Sequence, residues 1–235
     1  MKLAVIPARG GSRRIPRKNI KLFDGKPIIA WSIQAAQDAE VFDRIIVSTD
    51  DLEIASIAKN YGAEVPFIRP DNLSDDYTGT IPVIAHAIDW HKTRGIHPTQ
   101  TCCIYATAPF LRGADIRKGA ELLDQTGADY AFSITSYAFP IQRAIKLRED
   151  GRVEMFNSEN FEARSQDLTN AYHDAAQFYW GRTQAWLSQK AMFDSGSVPV
   201  VLPRHRVQDI DTMDDWQHAE ILMRALKISQ DEAGY

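Results

Sequence analysis

Residues Lys2–Asn19 read KLAVIPARGGSRRIPRKN, and the fold can be read outward from this stretch. Its first part, Lys2 to Ile6, is a short apolar run without polar alternation, as expected of a strand covered on both faces. The run ends in Gly10-Gly11 and in Arg9, Arg13, Arg14, Arg17 and Lys18. Glycines let a backbone approach an anion and aim N–H groups at it. Arginine meets phosphate oxygens as a fork and lysine as a point charge. Neither G-x-x-x-x-G-K-[ST] nor G-x-G-x-x-G is present. A buried strand running into an anion-binding loop is the start of an α/β unit, whose ligands sit at the carboxyl ends of the strands.

Downstream the same alternation repeats. PIIAWSIQAAQDA (27–39) has helical spacing, with Pro27 in its first turn. RIIVSTD (44–50) is a strand, 51–62 a helix stopped by Gly62, and AEVPFI (63–68) a short extended segment. A helix over 80–95, a strand over 101–109, a helix over 115–127 and a strand over 130–137 follow. Alternation of this kind predicts an α/β protein with a mainly parallel sheet. PARGGSRR, STDD and ATAPF then converge on one sheet edge. From about 136 to 173 the pattern breaks into an antiparallel excursion, with a turn at Glu149-Asp150-Gly151, that reads as a lid or a dimer contact. AQFYWGR and VPVVLP return to the sheet, a helix covers 213–228, and fraying is expected from about Ser229. The 235 residues read as one domain with an insertion at about 136–173.

The formal charge is −4, with 44% apolar and 25% charged residues. That balance argues against nucleic acid and anionic membranes as partners. No apolar run approaches the ~20 residues that span a bilayer. Cys102 and Cys103 are adjacent in an apolar run; they form neither a disulfide framework nor a zinc spacing and suit a reducing compartment. The start is not a signal peptide, so a cytoplasmic protein is expected. A basic loop in an acidic chain is local charge for one anionic ligand.

PARGGSRRIPRKN resembles the signature of the sugar cytidylyltransferases, in particular the CMP-sialic acid synthetase family, roughly A-R-x-x-S-[KR]-x-x-x-x-K-N. The resemblance continues through FDRIIVSTDD, EVPFIRP, LSDD and ATAP to QDIDTMDDW. It implies a three-layer, Rossmann-like nucleotide-diphospho-sugar transferase fold and a homodimer paired through the excursion. It implies that Arg9 and Lys18 hold the triphosphate of CTP, with Ser12 and Asn19 on the nucleotide and Ala8, Gly10, Arg13 and Thr80 beside them. The implied reaction moves CMP from CTP to the anomeric hydroxyl of a 2-keto-3-deoxy acid sugar. The hydroxyl attacks the α-phosphorus and pyrophosphate leaves. Positioning and charge stabilisation carry such a step. No general base is evident.

Asp209 and Asp211 in VQDIDTMDDW share a face if the segment is extended. Side by side they repel unless a cation sits between them, and Mg²⁺ suits an all-oxygen site with few protein ligands. The alternative is a helix-capping loop with Asp211 or Thr212 as cap. Asp214 and Asp215 fall in the helix's first turn, where acids suit the dipole. In the resembling family the Asp209 and Asp211 positions are metal ligands, which makes Arg9, Lys18 and Asp211 the expected catalytic set.

Sialic acid synthetases carry LQPTSPLR where this chain has CIYATAPFLR. Tyr105 replaces the sugar-contacting glutamine, Thr107 and Pro109 keep their places, and Arg112 falls one residue late. CCIYATAPF, FPIQR, RSQDL and YHDAAQFYWGR resemble the branch that acts on pseudaminic acid, a 5,7-diacetamido nonulosonate more apolar than sialic acid. Tyr105, Phe110, Phe139 and Phe178 would suit it. Arg143 and Arg164 are candidates for its carboxylate, and Gln142, Gln166, His173 and Gln177 for its amides or hydroxyls. A surface or lid contact is the alternative for each. His173-Asp174 has no second histidine cluster to make a metal site, and the five tryptophans read as core or interface.

Three rivals remain. Another nonulosonic acid, N-acetylneuraminic or legionaminic, is the nearest. A doubly wound dehydrogenase would use Asp50, but its fingerprint needs small residues where this loop has five charges. A non-enzymatic nucleotide or RNA module would not need the aspartate pair and would not weaken in EDTA.

Overall fold

In the computed structural model, which describes residues 1–232, the opening apolar run is β1 (Lys2–Pro7), with Leu3 to Ile6 buried. A 3₁₀ turn (Lys18–Ile20), β2 (Leu22–Phe23) and β3 (Lys26–Pro27) lead into α1 (Ile28–Asp38), β4 (Arg44–Ser48), α2 (Leu52–Asn60) and α3 (Thr80–Lys92). Then come β5 (Gln100–Ile104), α4 (Gly113–Thr126), β6 (Tyr130–Ser136), β7 (Ile145–Leu147) and β8 (Val153–Met155). The chain continues through β9 (Tyr172–Arg182), α5 (Thr183–Leu187), β10 (Ser197–Val201) and α6 (Met213–Glu232).

The main sheet has the order β10-β6-β9-β5-β1-β4. β1 is parallel to β4 and β5, and β10 is parallel to β6. β9 runs antiparallel to both β5 and β6. The mainly parallel α/β fold is therefore as expected, with one reversed strand. That reversal follows from the connection: β6 reaches β9 through an irregular arm and not through a crossover helix, so no parallel pairing is imposed.

β6 and β9 stay paired out to Ser136 and Tyr172, which shortens the expected excursion to an arm over 137–171. Within it β7 and β8 form a hairpin closed at Gly151, whose φ of 77° takes the left-handed turn. AEVPFI runs beside β4 through the bridges Ile46–Glu64 and Thr49–Ile68. Two boundaries differ from expectation. Pro27 precedes α1 with an extended ψ of 135° and is not in its first turn. α6 runs unbroken past Ser229 to Glu232, and the expected frayed tail at 233–235 lies outside the described residues.

Three apolar clusters make the core. Trp180, Trp186 and Trp216 are buried in them. So are two residues expected near the sugar. Phe178 lies under the sheet, and Phe110 packs edge-on to Phe23 with centroids 6.2 Å apart. The third cluster positions the site. It gathers Ile15 from the basic loop, Ile210 from between the two aspartates, and Phe23, Phe110 and Trp216. Two chain segments almost two hundred residues apart are thus held together by their apolar members (Ile15 and Ile210), and their charged neighbours are left facing one cleft.

Candidate active site

The cleft has a volume of about 290 Å³ and opens beyond the carboxyl ends of β1 and β5. Its loop wall is pinned from below. Ala8 is buried and its N–H donates to the Ser48 carbonyl (2.9 Å). Asn19 is buried and its Nδ2 donates to the Arg9 carbonyl (2.9 Å). The Gly10 N–H donates to Asp50 Oδ1 (2.9 Å). A Cβ on Gly10 would lie 2.7 Å from Asp51 Oδ2, so the loop needs glycine there to lie this close to α2. Arg17 turns away from the cleft. With φ at 55° it pairs with Asp51 and Glu53. Asp51 also caps α2 by accepting the Glu53 and Ile54 N–H groups (both 2.9 Å). The Arg17 guanidinium, outweighing desolvation and aided by the cap bonds, holds the Asp51 carboxyl down to about 2.

Arg9, Arg13, Arg14 and Lys18 do line the cleft, with Ser12, Asn19, Thr80, Tyr105, Thr107 and Asp211. Arg69 joins them, a cation of EVPFIRP to which the sequence alone gives no role. It is 4% exposed, its Nε donates to Ser74 Oγ (3.2 Å), and Asp50 lies 3.8 Å away. Burial lowers its pKa and the Arg9 charge adds to that, while Asp50 opposes it. A lone arginine after a short extended segment was the available signal.

The opposite wall is LSDD. Asp75 spends its carboxylate on its own turn, accepting from the Tyr77 and Thr78 N–H groups (3.0 and 2.7 Å). Its carbonyl accepts from Arg9 (2.8 Å). Asp76 gives both oxygens to the loop: Oδ1 to Arg9 at 2.6 Å and Oδ2 to Arg13.

Asp211 closes the cleft, while Asp209 is not among its lining residues. Asp209 and Asp211 flank buried Ile210. Asp211 meets Lys18 Nζ (3.3 Å) and Arg14 Nη2 (3.0 Å), while Lys18 also donates to the Ile210 carbonyl (2.6 Å). Asp211 is not the cap of α6. Thr212 Oγ1 accepts the Asp215 N–H (3.2 Å) and Asp215 returns to the Thr212 N–H (2.8 Å), which is a capping box. Asp209 is exposed, yet the protein packed beside its carboxyl removes hydration. That desolvation first, and Asp211 second, push its pKa up. The segment is steadied from behind by Arg206, which forks onto Asp115 (2.6 and 3.1 Å).

The remaining sugar candidates lie elsewhere. Gln142 donates to the Thr169 carbonyl (2.8 Å), and Arg164 pairs with Asp167 (2.9 Å). Arg143 and Gln166 sit in 3₁₀ turns of the arm. His173 packs against Tyr137 with centroids 4.8 Å apart. Gln177 is buried beneath the sheet edge and donates to the Arg206 carbonyl (2.6 Å). None of the six lines the cleft.

Among the described residues no three His, Cys, Asp or Glu side chains gather as a metal cluster, and no helix is long and apolar enough to cross a membrane.

Residues 3–231 match a family model described as cytidylyltransferase. A pseudaminic acid cytidylyltransferase of Campylobacter jejuni subsp. jejuni serotype O:23/36 (strain 81-176) is 46% identical over 222 residues, 94% of this chain and 96% of that protein. A CMP-N,N'-diacetyllegionaminic acid synthase of Legionella pneumophila is 29% identical over 94% of this chain and 95% of that one. Among solved structures, a CMP:2-keto-3-deoxy-manno-octonic acid synthetase complexed with CTP superposes with a TM-score of 0.70 at 15% identity, covering 95% and 98% of the two chains, a likeness of fold. On a match that runs from residue 3 to residue 231, the chain belongs to the cytidylyltransferase family.

Proposed function

We propose that the protein transfers CMP from CTP to the anomeric hydroxyl of pseudaminic acid and releases pyrophosphate. The observation that carries this is one cleft in which the basic loop faces Asp211, with Tyr105 on its wall. The 46% identity to a pseudaminic acid cytidylyltransferase supports the acceptor over N-acetylneuraminic or legionaminic acid.

In this reading Arg9, Arg13 and Lys18 exchange their aspartate partners for the triphosphate. The sugar hydroxyl attacks the α-phosphorus, the bond to the β-phosphate oxygen breaks, and the hydroxyl proton passes to solvent. The loop cations neutralise charge gained by pyrophosphate in the transition state. Arg69, buried at the wall, presents fixed donors to the nucleotide. Tyr105 and Thr107 face the acceptor.

The donor set fits Mg²⁺. Asp209 and Asp211 are two hard oxygen ligands that crowd each other, and a divalent ion relieves that crowding while leaving positions for phosphate and water. When bound, the ion would neutralise phosphate charge and favour deprotonation of the attacking hydroxyl. Arg14, which keeps its partner, holds Asp211 toward the cleft.

A homodimer completes the reading. The arm exposes Leu147 and Val153 on its hairpin and Phe156 and Phe161 just after it, each more than half open to solvent, and is too small to bury them itself. Buried free cysteines are in keeping with a reducing, cytoplasmic setting. The test is product formation: with CTP, Mg²⁺ and pseudaminic acid, mass spectrometry should find one CMP-sugar per pyrophosphate. Equal product from UTP would refute the cytidylyl assignment.

A further inference from the structure

β9 is irregular where it runs beside Tyr105. Its register against β6 shifts between Phe132 and Ile134, and Ala176 adopts a φ of 51°. A left-handed alanine is disfavoured by its Cβ and persists only when its surroundings hold it. Bulges of this kind re-aim side chains beside sites.

The holding contacts can be named. Asp174 Oδ1 accepts the Ala176 N–H (2.9 Å). Ser133 Oγ accepts the N–H groups of Gln177 and Phe178 (3.3 and 3.2 Å). The second Asp174 oxygen accepts the hydroxyl of buried Tyr179. The bulge in turn holds Tyr105 twice. Its backbone N–H donates to the Gln177 carbonyl (2.9 Å), and its ring packs on Tyr179 with centroids 5.2 Å apart. The Tyr105 hydroxyl then reaches Thr80 Oγ1 at 3.2 Å, at the start of α3. Among the described residues, Asp174 does not line the cleft and pairs with no cation. Both its oxygens serve the bulge and the tyrosine.

We propose that Asp174 is a positioning residue for the acceptor sugar, acting through the bulge and the Tyr179 hydroxyl to set the backbone and ring of Tyr105 on the cleft wall. The proposal rests on the reading of Tyr105 as sugar-facing. It assigns to one carboxylate a step between strand irregularity and substrate choice: without it, Ala176 can relax, the Gln177 carbonyl moves, and the ring that selects the sugar loses its backing.

Steady-state kinetics with each substrate varied separately tests this on Asp174→Ala, Asp174→Asn, Tyr179→Phe and Tyr105→Leu. Asp174→Ala is expected to raise the KM for the sugar about tenfold, the scale of one lost charge-assisted hydrogen bond, with the CTP KM unchanged within twofold. Asp174→Asn keeps an oxygen for the Ala176 N–H and should recover most of the loss. Tyr179→Phe, which removes one buried hydroxyl and leaves the ring, should raise the sugar KM severalfold and lower the preference for pseudaminic over N-acetylneuraminic acid. If Asp174→Ala does not fold, Tyr179→Phe decides alone. An unchanged sugar KM in Tyr179→Phe, or an equal rise for CTP, overturns the proposal. If Tyr105→Leu raises the sugar KM while the Asp174 and Tyr179 variants are silent, the positioning role alone has failed. If Tyr105→Leu, which removes the ring, is silent as well, the sugar-facing reading has failed with it.

Discussion

At the residue scale, the cations of the cleft differ in what holds them. Arg9 and Arg13 share Asp76, Lys18 and Arg14 share Asp211, and Arg69 is buried against the wall. Arg17, equally basic in the sequence, is spent on α2. Spacing in a loop tells which residues are charged; it does not tell which way each side chain turns, so it was the resemblance, naming Arg9, Arg13 and Lys18, that left Arg17 aside, while Arg69, outside the loop, was given no role. Arg9→Ala removes a charge-assisted partner of the triphosphate, a contact on the order of 1.5–3 kcal/mol, and so should raise the CTP KM about ten- to a hundredfold. The sugar KM should move far less. A rise confined to the sugar would put the loop at the other substrate.

At the scale of elements, the site is assembled by apolar residues inside polar segments. Ile15 sits among arginines and Ile210 between aspartates, and neither looked like an anchor when its segment was read for charge. Ile210→Ala should cost about 2–4 kcal/mol in urea unfolding. It should also lower turnover under conditions where the protein remains folded, because Asp209 and Asp211 flank that side chain. Full turnover in the folded variant would separate the cluster from the site. The contact between the basic loop and α2 makes a second prediction. Asp51 titrates near 2 in the folded protein and at about 3.9 when unfolded, so its contribution is present above the unfolded value and is lost as pH falls from about 4 to about 2. The contribution is on the order of 1–2 kcal/mol after allowance for the half-exposed Arg17. Asp51→Asn should flatten acid unfolding in that window; an unchanged profile would remove the pair from the stability of the loop.

At the scale of the molecule, the parallel half of the sheet was legible because each strand there is an unbroken apolar run followed by a helix with its own stop. Gly62 and Gly127 both take positive φ at such stops. The reversal of β9 was not legible. Its residues alternate no differently from those of a parallel strand, and its direction is set by the arm that delivers it. The arm itself was legible as a break in pattern, and its exposed apolar side chains are the reason to expect pairing between copies. Phe156→Arg should lower the sedimentation coefficient from that of a dimer to that of a monomer while the circular dichroism spectrum stays the same. A wild-type protein that sediments as a monomer would place those side chains in some other contact.

The proposed reaction is a cytidylyl transfer whose acceptor is chosen at Tyr105. Its most direct test is pyrophosphate release with CTP and Mg²⁺, with pseudaminic acid and N-acetylneuraminic acid supplied separately at equal concentration. Release with pseudaminic acid and little with N-acetylneuraminic acid is the predicted result. Equal or faster release with N-acetylneuraminic acid would contradict the assignment of Tyr105, and no release with either would contradict the reaction itself.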